Sequence, residues 1–471
     1  GRIPHPTKTN LMAPLTFHST NGQAPRVDLK QALLAGQAPD RGLYLPDRIP
    51  ELSADRIADL RGKPYADVAF DVLSAYTDGV IEPEALRALC RDAYDYAVPL
   101  EPVAGVEGVH VLRLDQGPTA SFKDFAARMM ARLIGRFLQE DRRELLILTA
   151  TSGDTGSAVA SAFHNVPGVR VLVLFPREEV SERQRRQMTT LGDNIRTIAL
   201  EGKFDDCQAL VKRAFSDPDL ADLALSSANS INIGRLLPQT VYYFYAAAQV
   251  AEPDEPVVVA VPSGNFGNMM GCMLAGRMGL KLKKLVVPVN ANDEFPVFLR
   301  TGRYARIEPS RACISNAMNV GHPSNLARLV ELYGGWLDET GCLHRAPDFA
   351  AMRRDLFSVA VSDDATRAAI RQAWREHRLL LEPHGAVGWQ GLLEYRRAEG
   401  LDGAPAVVVE TAHPAKFPDE IERLLGFTPE VPGALARLEG LPEDYDALPP
   451  RYELLKDYLL ERYGGARASA H

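Results

Sequence analysis

One lysine stands between two phenylalanines in Q-G-P-T-A-S-F-K-D-F-A, residues 116–126. The Gly, Pro, Thr and Ser ahead of it resist regular structure. Around and behind it, Phe122, Phe125, Ala126, Met129, Met130, Leu133, Ile134 and Phe137 recur at helical spacing. Lys123 therefore belongs to the first turn of an amphipathic helix, where the helix dipole and burial both disfavour its charge. A neutral amine there is a nucleophile. The plainer reading is a lysine whose stem covers apolar surface while its head reaches water. A single lysine does not by itself depart from it.

Four other stretches carry chemistry. T-A-T-S-G-D-T-G-S-A begins at Thr149 and runs from an apolar segment into a helix of alanines. Its Gly153 and the Ser152, Thr155 and Ser157 hydroxyls suit a carboxylate or phosphate at a helix N-terminus. Capping by Asp154 or Thr155 needs only one of these residues. P-S-G-N-F-G-N-M-M-G, from Pro262, also follows an apolar run. Gly264 and Gly267 there allow positive φ, so several N–H groups can converge on one phosphate. The loop has neither the P-loop ending nor the dinucleotide spacing, and an empty tight turn is its plainer reading. S-S-A-N-S-I-N-I-G-R groups Asn229, Ser230, Asn232 and Arg235, which suit an anion or a turn with an exposed Arg. E-T-A-H-P-A-K-F places Thr411 at the end of another apolar run. A neutral amine, a phosphate cradle and a second anion site are together what a Schiff-base cofactor enzyme needs.

These loops require elements to hold them. β-branched runs at 109–114, 145–149, 169–175, 195–200, 257–261, 285–289 and 406–409 alternate with amphipathic helices. That pattern predicts an α/β fold with parallel sheet covered on both faces. The helical stretch 236–251 separates two sheet lobes, the smaller at about 145–235. The first hundred residues read as mainly helical and strand-poor, with helices near 68–75 and 83–97, and the last forty as a helical appendage. The expected units are 1–100, 101–425 and 426–471. Ligands of such sheets bind beyond the carboxyl ends of strands, where these loops fall.

Composition narrows the classes. The chain has 471 residues, 46% hydrophobic and 24% charged, with net charge −8. It therefore has large cores and no basic surplus for nucleic acid; Arg183, Arg185 and Arg186 read as a solvated helix face. Five scattered cysteines without C-x-x-C spacing and histidines without an H-x-x-x-H pair argue against a metal site or disulfide framework. They point to a reducing, cytoplasmic setting. No apolar run has membrane-spanning length, and no secretory leader is expected. The opening stretch through Met12 lacks an initiator methionine, and roughly its first ten residues are set aside from the fold.

Q-G-P-T-A-S-F-K-D, T-S-G-D-T-G-S-A, S-A-N-S-I-N-I-G-R, P-S-G-N-F-G-N and T-A-H-P-A-K-F, in this order, closely resemble the threonine synthase family. H-S-T-N-G and A-P-D-R-G-L-Y-L-P resemble its N-terminal part. The resemblance implies pyridoxal 5'-phosphate (PLP) as cofactor and PLP fold type II, the tryptophan-synthase-β-like arrangement of two doubly wound sheet lobes. Lys123 would be the Schiff-base lysine, with Phe122 beside it. Ser263, Gly264, Asn265, Phe266, Gly267 and Asn268 would hold the cofactor phosphate. Thr411 would face the pyridine nitrogen, and Asp154 would contact the cofactor hydroxyl region. Thr119, Ser121, Ser152, Gly153 and Thr155 would serve the substrate carboxylate side, and Asn229, Ser230, Asn232 and Arg235 the substrate phosphate.

The implied reaction is γ-elimination from O-phospho-L-homoserine and β-addition of water, giving L-threonine and phosphate, by a monomer or homodimer. The family's departing phosphate is thought to act as an acid and base. A phospholyase releasing 2-oxobutyrate, ammonia and phosphate from O-phosphothreonine or O-phosphohomoserine is the rival. A silent PLP-binding protein would have no use for Lys123, nor a dehydratase of free threonine for Arg235. L-E-P-H-G-A-V-G departs from the family's usual D-P-H-T-A-V, and Gly385 is expected to remove a hydroxyl from the cofactor or substrate region.

Overall fold

The computed structural model describes residues 14–467; the opening stretch through Met12 lies outside them. The larger sheet has six strands in the spatial order Leu356–Ala360, Leu282–Val289, Val257–Ala260, Ala406–Glu410, Val109–Arg113 and Leu100–Pro102. All its neighbours are parallel except the last pair. The smaller sheet has five parallel strands, Asp446–Leu448, Ile195–Leu200, Val169–Pro176, Leu145–Ala150 and Leu225–Ser226. Every residue of Leu145–Ala150 is buried, which is why its sequence is continuously apolar.

Each expected strand is present, and the differences lie at the edges. Leu356–Ala360 follows the helix Phe349–Asp355 without a break and is mostly half-buried, so neither punctuation nor a continuous apolar run marks it. The N-terminal region is mainly helical, as expected, but it also holds a small antiparallel sheet, with Thr16–Ser19 between Val27–Asp28 and Tyr44–Pro46. Strands of two to four residues are too short to show alternation. The C-terminal segment is not an appendage. Asp446–Leu448 pairs with Ile195–Leu200 as the edge of the smaller sheet, and Tyr452, Leu455, Leu459 and Tyr463 complete that sheet's core. The basic cluster helps hold this segment: Arg183 pairs with Glu439 and Arg185 with Glu443.

Two packing features position the site. Phe125, in the helix Lys123–Asp141, meets Tyr65, Tyr96 and Tyr242 edge-on at centroid distances of 5.3, 5.1 and 5.2 Å. These contacts fix the helix that begins with Lys123. On the other side, the helix Pro383–Glu399 lies close against the larger sheet through Gly385, Gly388 and Gly391. A Cβ at Gly391 would stand 2.6 Å from Pro288 Cβ, so the close approach requires glycine. Asp338, Cys342 and His344 bring potential ligand atoms within 4.8 Å of one another on the hairpin of Trp336–Leu337 and Leu343–Arg345. Asp338 is already the turn's acceptor, for the Thr340 and Cys342 N–H groups and the Thr340 hydroxyl.

Candidate active site

Lys123 is the first residue of its helix and is half-buried. Its Nζ forms no ion pair among the described residues and lies 5.9 Å from the centre of the Phe122 ring. Burial pushes its amine down to about 8; Asp154 opposes this, and Arg235 and Lys416 add to it. The preceding loop is held in place from outside. Phe122 N–H donates to Thr411 O at 2.8 Å, and His413 N–H to Ala120 O at 3.0 Å. A bridge pairs Ser121 with Ala412. The lysine motif and the Thr411 motif are thus joined along their backbones. Thr119 serves this loop: its hydroxyl donates to Asp124 Oδ1 at 2.5 Å and its carbonyl accepts from Gln187 and Lys416. Ser121 Oγ is buried and unpartnered, a free polar group facing no protein acceptor.

Asp154 opens the helix Asp154–Phe163, and its carboxylate lies 2.5 Å from Lys416 Nζ, with both side chains buried. Burial would raise its pKa, but Lys416 and Lys123 overcome that and hold it at about 2. Gln184 approaches the same carboxylate at 3.4 Å. The loop is partly self-capped, since Thr151 Oγ1 accepts from Gly153 N and Gly156 N. The N–H groups of Ser152, Asp154 and Thr155 have no acceptor among the described residues. They form the free part of a helix N-terminus.

The third element follows Val257–Ala260. Ser263 is anchored, its N–H on Pro288 O and its hydroxyl on Val261 O. Phe266 adopts φ 70° at the start of the helix Gly267–Arg277, held there by its ring against Phe295 at 4.9 Å. From Gly264 to Met269 no backbone N–H has an acceptor among the described residues. That is a concave run of donors. Asn268 accepts from the Tyr243 hydroxyl through Oδ1, while its Nδ2 is buried and unpartnered. Ser230 packs beside this loop, 3.6 Å from where a Cβ at Gly267 would lie. Arg235 is buried, has no carboxylate partner among the described residues, and is lowered by burial to about 10. Its Nη1 donates to Ala228 O at 2.7 Å, and its Nε is unpartnered. A buried guanidinium without an acid suits an incoming anion. Asn229 Oδ1, an acceptor, is also buried and free. Asn232 is different: its amide donates to Leu33 O and Ser227 O, and its oxygen caps Gly234 N. It serves the fold and has no donor left for a substrate.

The chain matches the pyridoxal-phosphate-dependent enzyme family over residues 93–412, the threonine synthase N terminus over 16–94 and the threonine synthase C-terminal region over 385–459. It is 39% identical to a threonine synthase of Haemophilus influenzae, covering 93% of this chain and 97% of that one. To an Escherichia coli threonine synthase it is 38% identical, covering 92% and 97%. The chain belongs to the threonine synthase family. Its fold agrees with the crystal structure of PLP-bound threonine synthase from Brucella melitensis, with TM-score 0.87, 35% identity and coverage of 95% and 99%. A threonine deaminase from Solanum lycopersicum, 16% identical with TM-score 0.52, shares the fold, which is that of PLP fold type II. The cofactor of this threonine synthase family member is PLP, and its residues fit that group. A lysine amine lowered toward neutrality, a run of unpartnered N–H groups and the buried free atoms of Ser121 and Asn268 are what an aldehyde bearing a phosphate requires.

Other residues of this family member were not singled out from sequence. Lys416, within the quoted T-A-H-P-A-K-F, is the partner of Asp154. Arg328 is fully buried and donates to Tyr44 O, Ser230 O, Ile231 O and Asn325 Oδ1, fastening the N-terminal sheet to the 229–235 segment. Gly385 lies against Glu410, so the room left by its missing side chain is filled from inside the protein.

Proposed function

We propose that the residues gathered around Lys123 carry out the threonine synthase reaction, in which O-phospho-L-homoserine and water give L-threonine and phosphate. The observation that carries this reading is the Lys123 amine, which burial lowers to about 8, with Arg235 and Lys416 adding to the effect and Asp154 opposing it. Lys123 would hold the cofactor through its amine and, when that amine is free, would move protons at the substrate Cα and Cβ. The free N–H groups of Gly264, Asn265, Phe266, Gly267 and Asn268 hold the cofactor phosphate, on a turn anchored by Ser263. Thr411 would serve the ring nitrogen, where a hydroxyl, unlike a carboxylate, would not keep that nitrogen protonated. Asp154, ionised beside Lys416, would serve the cofactor hydroxyl. Phe122 packs the Lys123 stem in place.

PLP, when bound, supplies an electron sink for charge developing at the substrate Cα. Ser121, Ser152, Gly153 and Thr155 orient the substrate carboxylate, chiefly through the free N–H groups of Ser152 and Thr155. Arg235, with Asn229 and Ser230, receives the phosphate of the substrate and retains it after it leaves Cγ. Thr119 and Asn232 act through the loops they brace. Among the described residues no helix is long and apolar enough to cross a membrane. The five cysteines are free, which supports a reducing, cytoplasmic setting. All the residues named come from one chain, so the reading is the same for a monomer or a homodimer.

The test is to give the PLP-loaded protein O-phospho-L-homoserine and identify the organic product beside phosphate. L-Threonine is the expected product. Release of 2-oxobutyrate and ammonia overturns the reading in favour of a phospholyase.

A further inference from the structure

Two acids and a histidine lie fully buried at the N-terminus of the helix Pro383–Glu399. Glu382 and Glu410 are 0% exposed and His384 is 3% exposed. Glu410 ends the strand Ala406–Glu410 and immediately precedes Thr411. Glu382 N–H donates to Glu410 Oε2 at 3.3 Å, and both carboxyl groups reach Gly385; two acids buried this close together cannot both be ionised. The surrounding donors decide which acid keeps its proton. Glu382 accepts from Gly385 N at 2.7 Å, His384 N at 2.8 Å and His384 Nδ1 at 2.6 Å. Glu410 has only two long backbone contacts, from Glu382 N at 3.3 Å and Ala412 N at 3.4 Å. The anion therefore sits on Glu382, at a helix N-terminus, and the proton on Glu410. Charged groups around them are Arg113 and Asp115 toward Glu410, Asp154 toward Glu382 and His384, and Lys123 and Lys416 toward His384.

His384 extends the chain of contacts. Its Nε2 accepts from Ala317 N at 3.1 Å, so Nδ1 carries the proton donated to Glu382. Ala317 O in turn lies 3.0 Å from the position of a Cβ at Gly264. One connected path thus runs from the residue before Thr411 to the floor of the 263–268 loop. Space is matched to it as well: a Cβ at Gly385 would lie 2.5 Å from the Glu410 carboxyl carbon.

We propose that Glu410, buried beside the Glu382–His384 pair, is a positioning residue that holds Thr411 and the 263–268 loop in register for PLP, and that Gly385 is glycine to admit its carboxyl group. This rests on the reading of Thr411 and that loop as cofactor contacts. The device requires a neutral polar group at position 410 and no side chain at position 385.

The experiment is a PLP titration of apoproteins, followed by the visible absorbance of the bound cofactor, with the melting temperature of each apoprotein measured in parallel. Glu410→Ala removes the buried acid group beside Glu382 and is expected to raise the PLP Kd about tenfold, whereas Glu410→Gln, which keeps a neutral polar group there, stays within about threefold. Gly385→Ala raises the Kd when Glu410 is present and leaves it unchanged in the Glu410→Ala background, a non-additivity that a general loss of packing does not produce. Equal Kd values across the set overturn the proposal. So does a Glu410→Gln protein as impaired as Glu410→Ala, or a loss confined to apoprotein melting. Lys123→Ala in the same titration separates the two levels. If it keeps the visible band, the site reading itself fails; if it loses the band while the 410 and 385 variants are silent, only the positioning role fails.

Discussion

A lysine amine attacks an aldehyde only in its neutral form, and an ordinary lysine near pH 7 is almost wholly charged. Lys123 escapes this by burial at a helix N-terminus, with Arg235 and Lys416 as further cations and Asp154 opposing them. Asp154 does not cancel the effect, because its charge is already paired with Lys416 at 2.5 Å. The rate of PLP association with the apoprotein should therefore rise about tenfold per pH unit below about 8 and level off above it. Stopped-flow absorbance measures this, and a profile still rising at pH 10 contradicts the assignment. Lys123 was legible in the sequence because its amphipathic helix and the loop ahead of it are local signals. The role of Lys416 is not legible in the same way, since nothing in T-A-H-P-A-K-F reveals that its partner is Asp154, far away in the chain. Asn232 shows the opposite failure: donor chemistry is visible in sequence, but its commitment to Leu33 and Ser227 is not.

The elements that hold these residues share one construction, a strand end, a small-residue loop and a helix N-terminus. The Gly267–Arg277 helix shows it most fully, with free N–H groups from Gly264 onward and Phe266 in the left-handed region. Gly264 is needed because the loop passes over Ala317 and Met318, each 3.0 Å from where a Cβ would lie. Gly264→Ala should displace the loop and weaken PLP binding about tenfold or more, with little change in apoprotein melting. Equilibrium fluorescence titration checks this, and an unchanged Kd contradicts the cradle. Such loops announce themselves in sequence because glycine and hydroxyl residues interrupt apolar periodicity. The edge strands Leu356–Ala360 and Asp446–Leu448 do not, being short and only partly buried. The contact of Gly385 with Glu410 is hidden in sequence for a related reason: Glu410 comes from a strand that is distant in the chain.

Across the whole molecule, the smaller lobe depends on the end of the chain. Asp446–Leu448 supplies its edge strand, and Tyr452, Leu455, Leu459 and Tyr463 cover its core. Removing residues 441–471 should destabilise that lobe by on the order of 5 kcal/mol, from the apolar side chains uncovered, and separate its unfolding from that of the larger lobe. Scanning calorimetry would show two transitions in place of one, and a single unshifted transition contradicts this. The lobe matters because it carries Asp154 and the 151–157 loop, for which we propose the substrate side, while the loop proposed for the cofactor belongs to the larger sheet. The reaction proposed for these residues breaks the Cγ–O bond of the substrate and adds water oxygen at Cβ. Running it in heavy-oxygen water tests that most directly: the account predicts L-threonine labelled in its hydroxyl and released phosphate without label. Label in the phosphate with homoserine as the organic product would mean simple phosphate ester hydrolysis and would contradict it.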